Sequence, residues 1–384
     1  AARGRERDLP FLILTGVLFA GMSYLIVFLC AWSHLPQSLY PNWRVVHRPW
    51  DLIPLFLYLF AGSVVFPRFY RAQPSLFSHA LFVSVIPNIA AELHAAFGSV
   101  ALYDNNFNIA CFEKIIAYLV PFLGLLLDYR RAYDADVALQ VTHEKLRVAR
   151  NVQQGLLPKC SPEITGYDIA GHYLPADMVG GDYYDYVRMA DGRWGIVVAD
   201  VSGHEIGASL LMAKTRAYLR ALAKSDSDVQ TILGRLHEFL VEDTQDKWFV
   251  TMFFAALHPQ TGAIEYAGAA QQAFVLRRNG TVTVLKSTST PLGVFADHPP
   301  RCGPPAALEV GDVFVAVTDG IIEAKSPAGE QFSQDRVVSV LREHLGRSTA
   351  EMMDALNQSF RSFCGTAPVT DDLTIVIVRR AASS

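Results

Sequence analysis

The chain reads Val-Gly-Gly-Asp-Tyr-Tyr-Asp at residues 179–185 and Ala-Asp-Val-Ser-Gly-His at residues 199–204. Aromatic and β-branched residues dominate 183–189 and 194–201, which predicts two strands. The dipeptide Asp191-Gly192 between them is typical of a tight hairpin turn. The sequence therefore predicts an antiparallel β-hairpin that carries acidic residues near its open end.

Such a hairpin brings Asp182 and Asp200 to the same end of a sheet. Two carboxylates at one end repel each other unless a cation lies between them. Two later acidic residues also lie at predicted strand edges, because Asp319 follows an apolar run and Asp371 precedes one. Four acidic sites at strand edges are typical of a metal site built from oxygen ligands, which suits Mg²⁺ or Mn²⁺ better than zinc.

The motifs GGDYYD, ADVSGH, TDG and DDLT, in this order and spacing, resemble the metal-dependent (PPM-type) Ser/Thr protein phosphatase family in its bacterial SpoIIE/RsbU-like branch. The resemblance covers about residues 149–380, including the lead-in at 149–158. It implies an α+β domain in which two β-sheets form a sandwich with helices on both outer faces (αββα). It also implies two Mn²⁺ or Mg²⁺ ions and a phosphorylated anti-sigma-factor antagonist of the STAS type as substrate, in a bacterial partner-switching pathway.

The resemblance also implies a role for each residue of the predicted site. Asp200 resembles the carboxylate that bridges both metal ions, and the Val201 carbonyl resembles a ligand of the second ion. Asp319 and Asp371 resemble ligands of the first ion. Asp182 resembles the acid that holds a metal-bound water. The four aspartates are therefore the predicted catalytic residues, and with Val201 they are the predicted metal ligands.

Neighbouring residues receive weaker predictions. Asp185 could assist the site, but it is interpreted as an outward-facing residue at a strand end, and Asp372 as a residue that orients its neighbour or caps a turn. Ser202 stands where animal members of the family carry a histidine proposed as general acid, and His204 could substitute for it. Glu205 stands where the bacterial branch usually has glycine, which favours an alternative hypothesis: a catalytically inactive, phosphatase-like binding module of a membrane receptor.

Several other classes of protein are excluded by composition or motif. The formal charge of -4 argues against a nucleic-acid-binding protein. The five cysteines are scattered without a CxxC pair, which fits a reducing cytosol and not a disulfide framework. Gly180-Gly181-Asp182 is shared with diguanylate cyclases, but Tyr183-Tyr184 replaces their acidic-aromatic pair. No cysteine has an arginine six residues later, and no P-loop is present, so a cysteine phosphatase and a P-loop kinase are excluded.

The first third of the chain holds most of its apolar residues, which make up 51% of the sequence. Four stretches are apolar enough to suggest an all-α bundle of about four transmembrane spans, with three as the fallback count: 9–32, 52–66, 73–91 and 109–127. The predicted domains are a membrane sensor domain at 1–127, a helical linker at 128–157 and the phosphatase domain at 158–384. Arginines concentrate before the first span, between the second and third, and after the fourth, which predicts an inner-membrane protein with its catalytic domain in the cytoplasm.

The linker at 128–157 is polar, helical in pattern and free of glycine before Gly155. A rough heptad seam passes through it: Leu139, Thr142, Leu146, Ala149, Gln153 and Leu156. We expect this seam to form a parallel, coiled-coil-like homodimer. The alternative is a surface helix that packs on the catalytic domain.

Ionisable residues near the predicted outer ends of the spans suggest a sensing site: His34, His47, Glu92, His94, Cys111, Glu113 and Lys114. Imidazoles with a carboxylate suit a transition metal or haem. The alternative is that these groups pair with each other, as Glu92 with Lys114, or extend to the interface.

Overall fold

The computed structural model describes residues 38–203, 206–244 and 247–382, together with separate positions between 14 and 32. The chain divides into two compact units, Ala1–Gln140 and Val141–Ser384. The domain boundaries proposed from the sequence, after residues 127 and 157, stay predictions.

In the first unit, three helices of the described chain are long and apolar enough to cross a membrane. They are α1 (Pro49–Ala72), α2 (Leu76–Gly98) and α3 (Asn105–Leu156), which continues into the second unit. Each overlaps one of the predicted spans: α1 and α3 contain 52–66 and 109–127, and α2 contains all but the first three residues of 73–91. The span predicted at 9–32 lies largely outside the described residues, so the count of four stays a prediction.

Helix α2 begins at a well-defined cap. The Ser75 hydroxyl accepts a hydrogen bond from the Ser78 amide at 3.1 Å, and the Ser78 hydroxyl accepts one from the Ser75 amide at 2.9 Å. The Asp128 carboxylate of α3 accepts two more, from the amides that follow the cap, at 3.1 and 2.7 Å. Farther along α3, a Cβ on Gly124 would lie 2.5 Å from that of Ala80, so glycine permits the two helices to pack closely.

The second unit contains two antiparallel five-stranded sheets. The first sheet has the order β1-β10-β9-β6-β7 and the second the order β2-β3-β4-β5-β8. The strands are β1 (Tyr167–Leu174), β2 (Tyr183–Arg188), β3 (Trp194–Val201), β4 (Val250–Leu257), β5 (Ala263–Ala269), β6 (Ala273–Leu276), β7 (Val282–Leu285), β8 (Ala306–Ala307), β9 (Val313–Val317) and β10 (Leu373–Arg380). The helices are α4 (Ile206–Ser225), α5 (Val229–Thr244), α6 (Asp319–Glu323), α7 (Ser333–Glu343) and α8 (Thr349–Cys364).

Strand β10 shows how the layers are built. Its side chains alternate between the two faces of the first sheet, as the period of a strand requires. Val376 and Val378 belong to the core shared with the second sheet, α4 and α5. Ile375 and Ile377 belong to a separate core shared with α7 and α8. Both faces of the first sheet are therefore buried, which gives the αββα layering expected for the C-terminal part.

The two predicted hairpin strands are β2 and β3, and the apolar runs before Asp319 and after Asp371 are β9 and β10, but the sequence indicated no element at β8 or α6. Strand β8 has only two residues and α6 only five, and neither is long enough to show a hydrophobic period. The omission of α6 matters for the site, because this helix begins at Asp319.

Candidate active site

The predicted acidic residues meet at one edge of the sandwich. In the hairpin, Tyr183 pairs with Ala199, so the same register places Asp182 opposite Asp200 one step farther on. In the first sheet β9 ends just before Asp319, and β10 begins just after Asp371 and Asp372. Asp200 is within electrostatic range of Asp319, Asp371 and Asp372, and it shares a side-chain hydrogen bond with Asp182. The fold therefore gathers carboxylates from four separate segments of the chain.

Asp182 is the most buried of these groups, with 1% of its surface exposed. Its Oδ2 atom accepts hydrogen bonds from the hydroxyls of Thr318, at 2.8 Å, and Thr374, at 2.5 Å. Burial, and next the charge of Asp200, raise its pKa well above the ordinary value, while the two threonines act in the opposite direction. Neither threonine was predicted to be a site residue, although Thr318 lies in the TDG motif and Thr374 in the DDLT motif.

Asp200 has a pKa raised to about 7, first by burial and then by the charges of Asp319, Asp371 and Asp372. The pKa of Asp319 is also raised, by burial and by Glu323. A cation among these groups would reverse the effect, because it favours their ionised forms.

Asp372 holds the loop that precedes β2. Its carboxylate accepts hydrogen bonds from the amides of Ala176, Gly181 and Asp182, at 2.8, 2.7 and 3.3 Å. A Cβ on Gly180 would lie 2.0 Å from this carboxylate, so only glycine permits the approach. The role of Asp372 is therefore wider than the predicted turn cap, because it joins two motifs that are 190 residues apart.

The Val201 carbonyl, a predicted metal ligand, lies against the same loop. A Cβ added to Gly181 would come within 2.6 Å of the Val201 oxygen. Glycine at this position therefore keeps the space beside the carbonyl open. Ser202 is used in strand pairing, because its hydroxyl accepts a hydrogen bond from the Phe249 amide at 3.0 Å. His204 and Glu205 lie outside the described residues.

Gln153, in the last turn of α3, also holds the loop before β2. Its amide group donates to the Gly180 carbonyl at 2.5 Å and accepts from the Gly180 amide at 3.1 Å. Gln153 is 5% exposed, so it is not available to the proposed dimer seam. Its side chain instead satisfies both backbone groups of a residue two positions before Asp182.

The prediction for Asp185 is wrong. Asp185 lies within β2, is fully buried, and accepts two hydrogen bonds of 2.6 Å from the Arg220 guanidinium. It also accepts one from the Tyr183 hydroxyl at 2.6 Å. Both faces of β2 are covered, so its residues are buried without alternation and Asp185 has no solvent-facing side. Asp185 is thus a structural anion that ties β2 to α4.

The acidic edge offers oxygen donors whose chemical type can be compared with the preferences of divalent metals. The predicted ligands are carboxylates and a carbonyl, the oxygen donors that Mg²⁺ and Mn²⁺ prefer. A bound cation would relieve the repulsion between Asp200 and the neighbouring carboxylates. Within the described chain, however, no three Asp, Glu, His or Cys side chains are arranged to hold one ion. The donors fit by type and charge, and rotation of an aspartate side chain moves its oxygens while the strand ends stay in place. The ligand set stays a prediction.

The ionisable groups of the first unit form pairs. Lys114 Nζ lies 3.0 Å from Glu92 Oε1, and His94 Nδ1 lies 3.0 Å from Glu113 Oε2. The alternative in which Glu92 pairs with Lys114 is therefore confirmed. No described part of this unit contains a group of three residues suited to a metal. His34 lies outside the described residues, and the sensing role stays a prediction.

Comparison with known proteins yields one family and several relatives. The family model of stage II sporulation protein E (SpoIIE) matches residues 190–381, half of the 384-residue chain. Phosphoserine phosphatase RsbU of Bacillus subtilis is 26% identical over 274 residues, which cover 70% of this chain and 81% of RsbU. Phosphoserine phosphatase RsbP of the same organism is 24% identical over 244 residues, covering 62% of this chain and 58% of RsbP.

Among solved structures, the SiaA-PP2C domain of Pseudomonas aeruginosa superposes with a TM-score of 0.56 at 24% identity. The match covers 63% of this chain and 98% of that domain. At this level of identity, the likeness shows a shared PP2C-like α+β fold.

Proposed function

This chain belongs to the SpoIIE family of protein Ser/Thr phosphatases, and from this premise we propose that it is a membrane-anchored, metal-dependent phosphatase of phosphoserine or phosphothreonine in a protein substrate. The observation that carries the proposal is the group of four aspartates from four segments at one edge of the sandwich, where burial, and next the charges of Asp319, Asp371 and Asp372, raise the pKa of Asp200 to about 7. A site that concentrates negative charge in this way needs cations before it can receive a phosphate.

Two Mn²⁺ or Mg²⁺ ions at this edge would activate a water molecule and neutralise the phosphoryl oxygens. Asp200 would bridge both ions, with Asp319 and Asp371 on the first and the Val201 carbonyl on the second. Asp182 would orient a water beside them. Thr318 and Thr374 keep the Asp182 side chain in place, and they favour its ionised form by donating to it.

The proposed substrate is a phosphorylated STAS-type antagonist of an anti-sigma factor, in a bacterial partner-switching pathway. This proposal rests on the similarity to RsbU and RsbP, which are named phosphoserine phosphatases.

The proposed location is the inner membrane, with the catalytic unit in the cytoplasm and the membrane part regulating it. The three long apolar helices support an anchor. The excess of arginine on the proposed cytoplasmic side supports the orientation.

Hydrolysis itself is the first test. We expect purified full-length protein in detergent to hydrolyse p-nitrophenyl phosphate and a phosphoserine peptide when Mn²⁺ or Mg²⁺ is supplied. EDTA should stop both reactions, and excess Mn²⁺ should restore them. Binding of the phosphopeptide without hydrolysis, with either ion, would favour the binding-module alternative.

We also propose that the protein is a homodimer through the linker helix. On the predicted seam, Leu139 is more than half exposed and Thr142 is exposed, so this end of the seam is available to a second copy. Leu146→Glu is expected to shift full-length protein from dimer to monomer in light scattering at micromolar concentration. Glu144→Gln, an exposed change in the same turn, is the matched control. A wild-type protein that is already monomeric would contradict this proposal.

A further inference from the structure

A cavity of about 390 Å³ lies on the outer face of the first sheet, between the sheet, α6 and α8. Apolar side chains form most of its wall: Leu174, Ile321, Leu356, Phe360, Leu373 and Ile375. The volume lies toward the lower end of the range for ligand pockets, roughly 300–1,000 Å³. Because the wall offers few hydrogen-bonding groups, an apolar occupant that displaces water from it is favoured.

Residues of the cavity wall lie close in sequence to the aspartates of the acidic edge. Ile321 is on α6, the helix that begins at Asp319, and Leu373 follows Asp371 by two residues. Leu174 pairs with Leu373 across β1 and β10, so both side chains point to the same face. Two residues of extended chain span at most about 7 Å, so the wall begins within about 7 Å of the Asp371 backbone.

One positive charge stands at the rim of the cavity. The Arg361 side chain is exposed, and it has no hydrogen bond or ion pair within the part of the chain that the structure describes. His172, also on the rim, is half-buried, and burial together with the charge of Arg361 lowers its pKa. His172 is therefore neutral near pH 7 and adds no second charge. The rim thus presents one available cation beside an apolar interior.

We propose that this cavity, the substrate pocket, receives an apolar side chain of the phosphorylated protein, two or three residues from the phosphoserine, while Arg361 contacts an adjacent acidic residue. The proposal rests on the proposed function and adds a determinant of substrate choice. An extended peptide advances about 3.3 Å per residue, so two or three residues cover the separation from the acidic edge to the pocket. Full burial of a Leu or Phe side chain corresponds to a factor of about 10 to 150 in affinity.

The test uses full-length protein in detergent with Mn²⁺ and a set of phosphoserine decapeptides in an Ala/Gly background. Leucine, followed by glutamate, is placed in turn at each position within three residues of the phosphoserine. We expect kcat/KM to rise about tenfold or more at one position, two or three residues away. Fluorescence anisotropy without Mn²⁺ should show the same preference in binding. Equal kcat/KM for all peptides would overturn the proposal.

Two variants and one control then test whether the peptide preference depends on the pocket. Ala367→Phe, at the rim, should abolish the preference for leucine while hydrolysis of p-nitrophenyl phosphate stays unchanged. Ala307→Phe, the same change beside a different cavity, is the matched control and should keep the preference. Arg361→Glu should lower kcat/KM for the glutamate peptide, and a lysine in place of that glutamate should restore it.

The outcomes separate this inference from the proposed function. If wild-type protein does not hydrolyse p-nitrophenyl phosphate, the proposed function fails. If it does, but Ala367→Phe and Ala307→Phe affect the peptides equally, only the substrate pocket is overturned. A loss of p-nitrophenyl phosphate hydrolysis in Ala367→Phe that matches its loss with peptides would also overturn it, since the cavity would then be part of the catalytic packing.

Discussion

Replacing Asp200 by alanine is expected to reduce hydrolysis to less than about a tenth of the wild-type rate in saturating Mn²⁺. Asp200 is the proposed bridging ligand, and it interacts with Asp182, Asp319 and Asp371. The domain should stay folded, because burial, and next the neighbouring carboxylates, raise the pKa of Asp200 and thus disfavour its charge. We expect the melting temperature without metal to be equal to or higher than that of wild type.

Asp297→Ala, at an exposed position, is the matched control for charge removal. It should retain wild-type hydrolysis. The two variants are also to be compared by the rise in melting temperature on adding Mn²⁺, which is independent of turnover. We expect this rise in wild type and Asp297→Ala and a smaller rise in Asp200→Ala. An active Asp200→Ala protein, or an unchanged rise, would contradict the metal assignment.

Gln153→Leu is expected to lower kcat by about ten- to a hundredfold. The change removes both hydrogen bonds to Gly180 and leaves two buried backbone groups without partners, each costing about 1–3 kcal/mol. The loop can regain partners only by moving, and it carries Asp182. A displacement of about 1 Å in a catalytic group is enough for an effect of this size.

The next residue provides the control, since Gln154 is exposed in the same helical turn. Gln154→Leu should keep the wild-type kcat. Both variants are to be assayed well below their melting temperatures, so that a loss of folded protein is not mistaken for a loss of positioning. The Mn²⁺ concentration for half-maximal rate should rise in Gln153→Leu alone. Equal values in the two variants would show that the Gln153 contact does not position the loop.

The residues of the acidic edge could be predicted because their pattern is local. Asp182 and Asp200 lie at the ends of a hairpin whose turn and strands are visible in one short stretch. The partners of these residues could not be predicted in the same way. Thr318, Thr374 and Asp372 reach the loop before β2 across more than 130 residues, and no periodicity reports such a distance.

Asp185 shows where pattern reading fails. A carboxylate at a strand end usually faces solvent, and Asp185 was interpreted as such an outward-facing residue. In the structure α4 covers this face of β2, and Arg220 from α4 supplies the charge that makes burial of Asp185 tolerable. Whether a carboxylate lies in solvent or in an ion pair depends on which helix packs over it.

Composition and short-range spacing were enough to predict the apolar first third, the α+β second unit and the acidic motifs. Packing showed that Gln153 hydrogen-bonds the loop before β2 and does not face a dimer seam. It likewise showed that Glu92 forms its ion pair with Lys114. It also decided that Leu174, Ile321 and Leu373 enclose one cavity beside Arg361. The physical reason is the same in each case: the partners are far apart in the chain, and only the packing of helices and sheets brings them within contact distance.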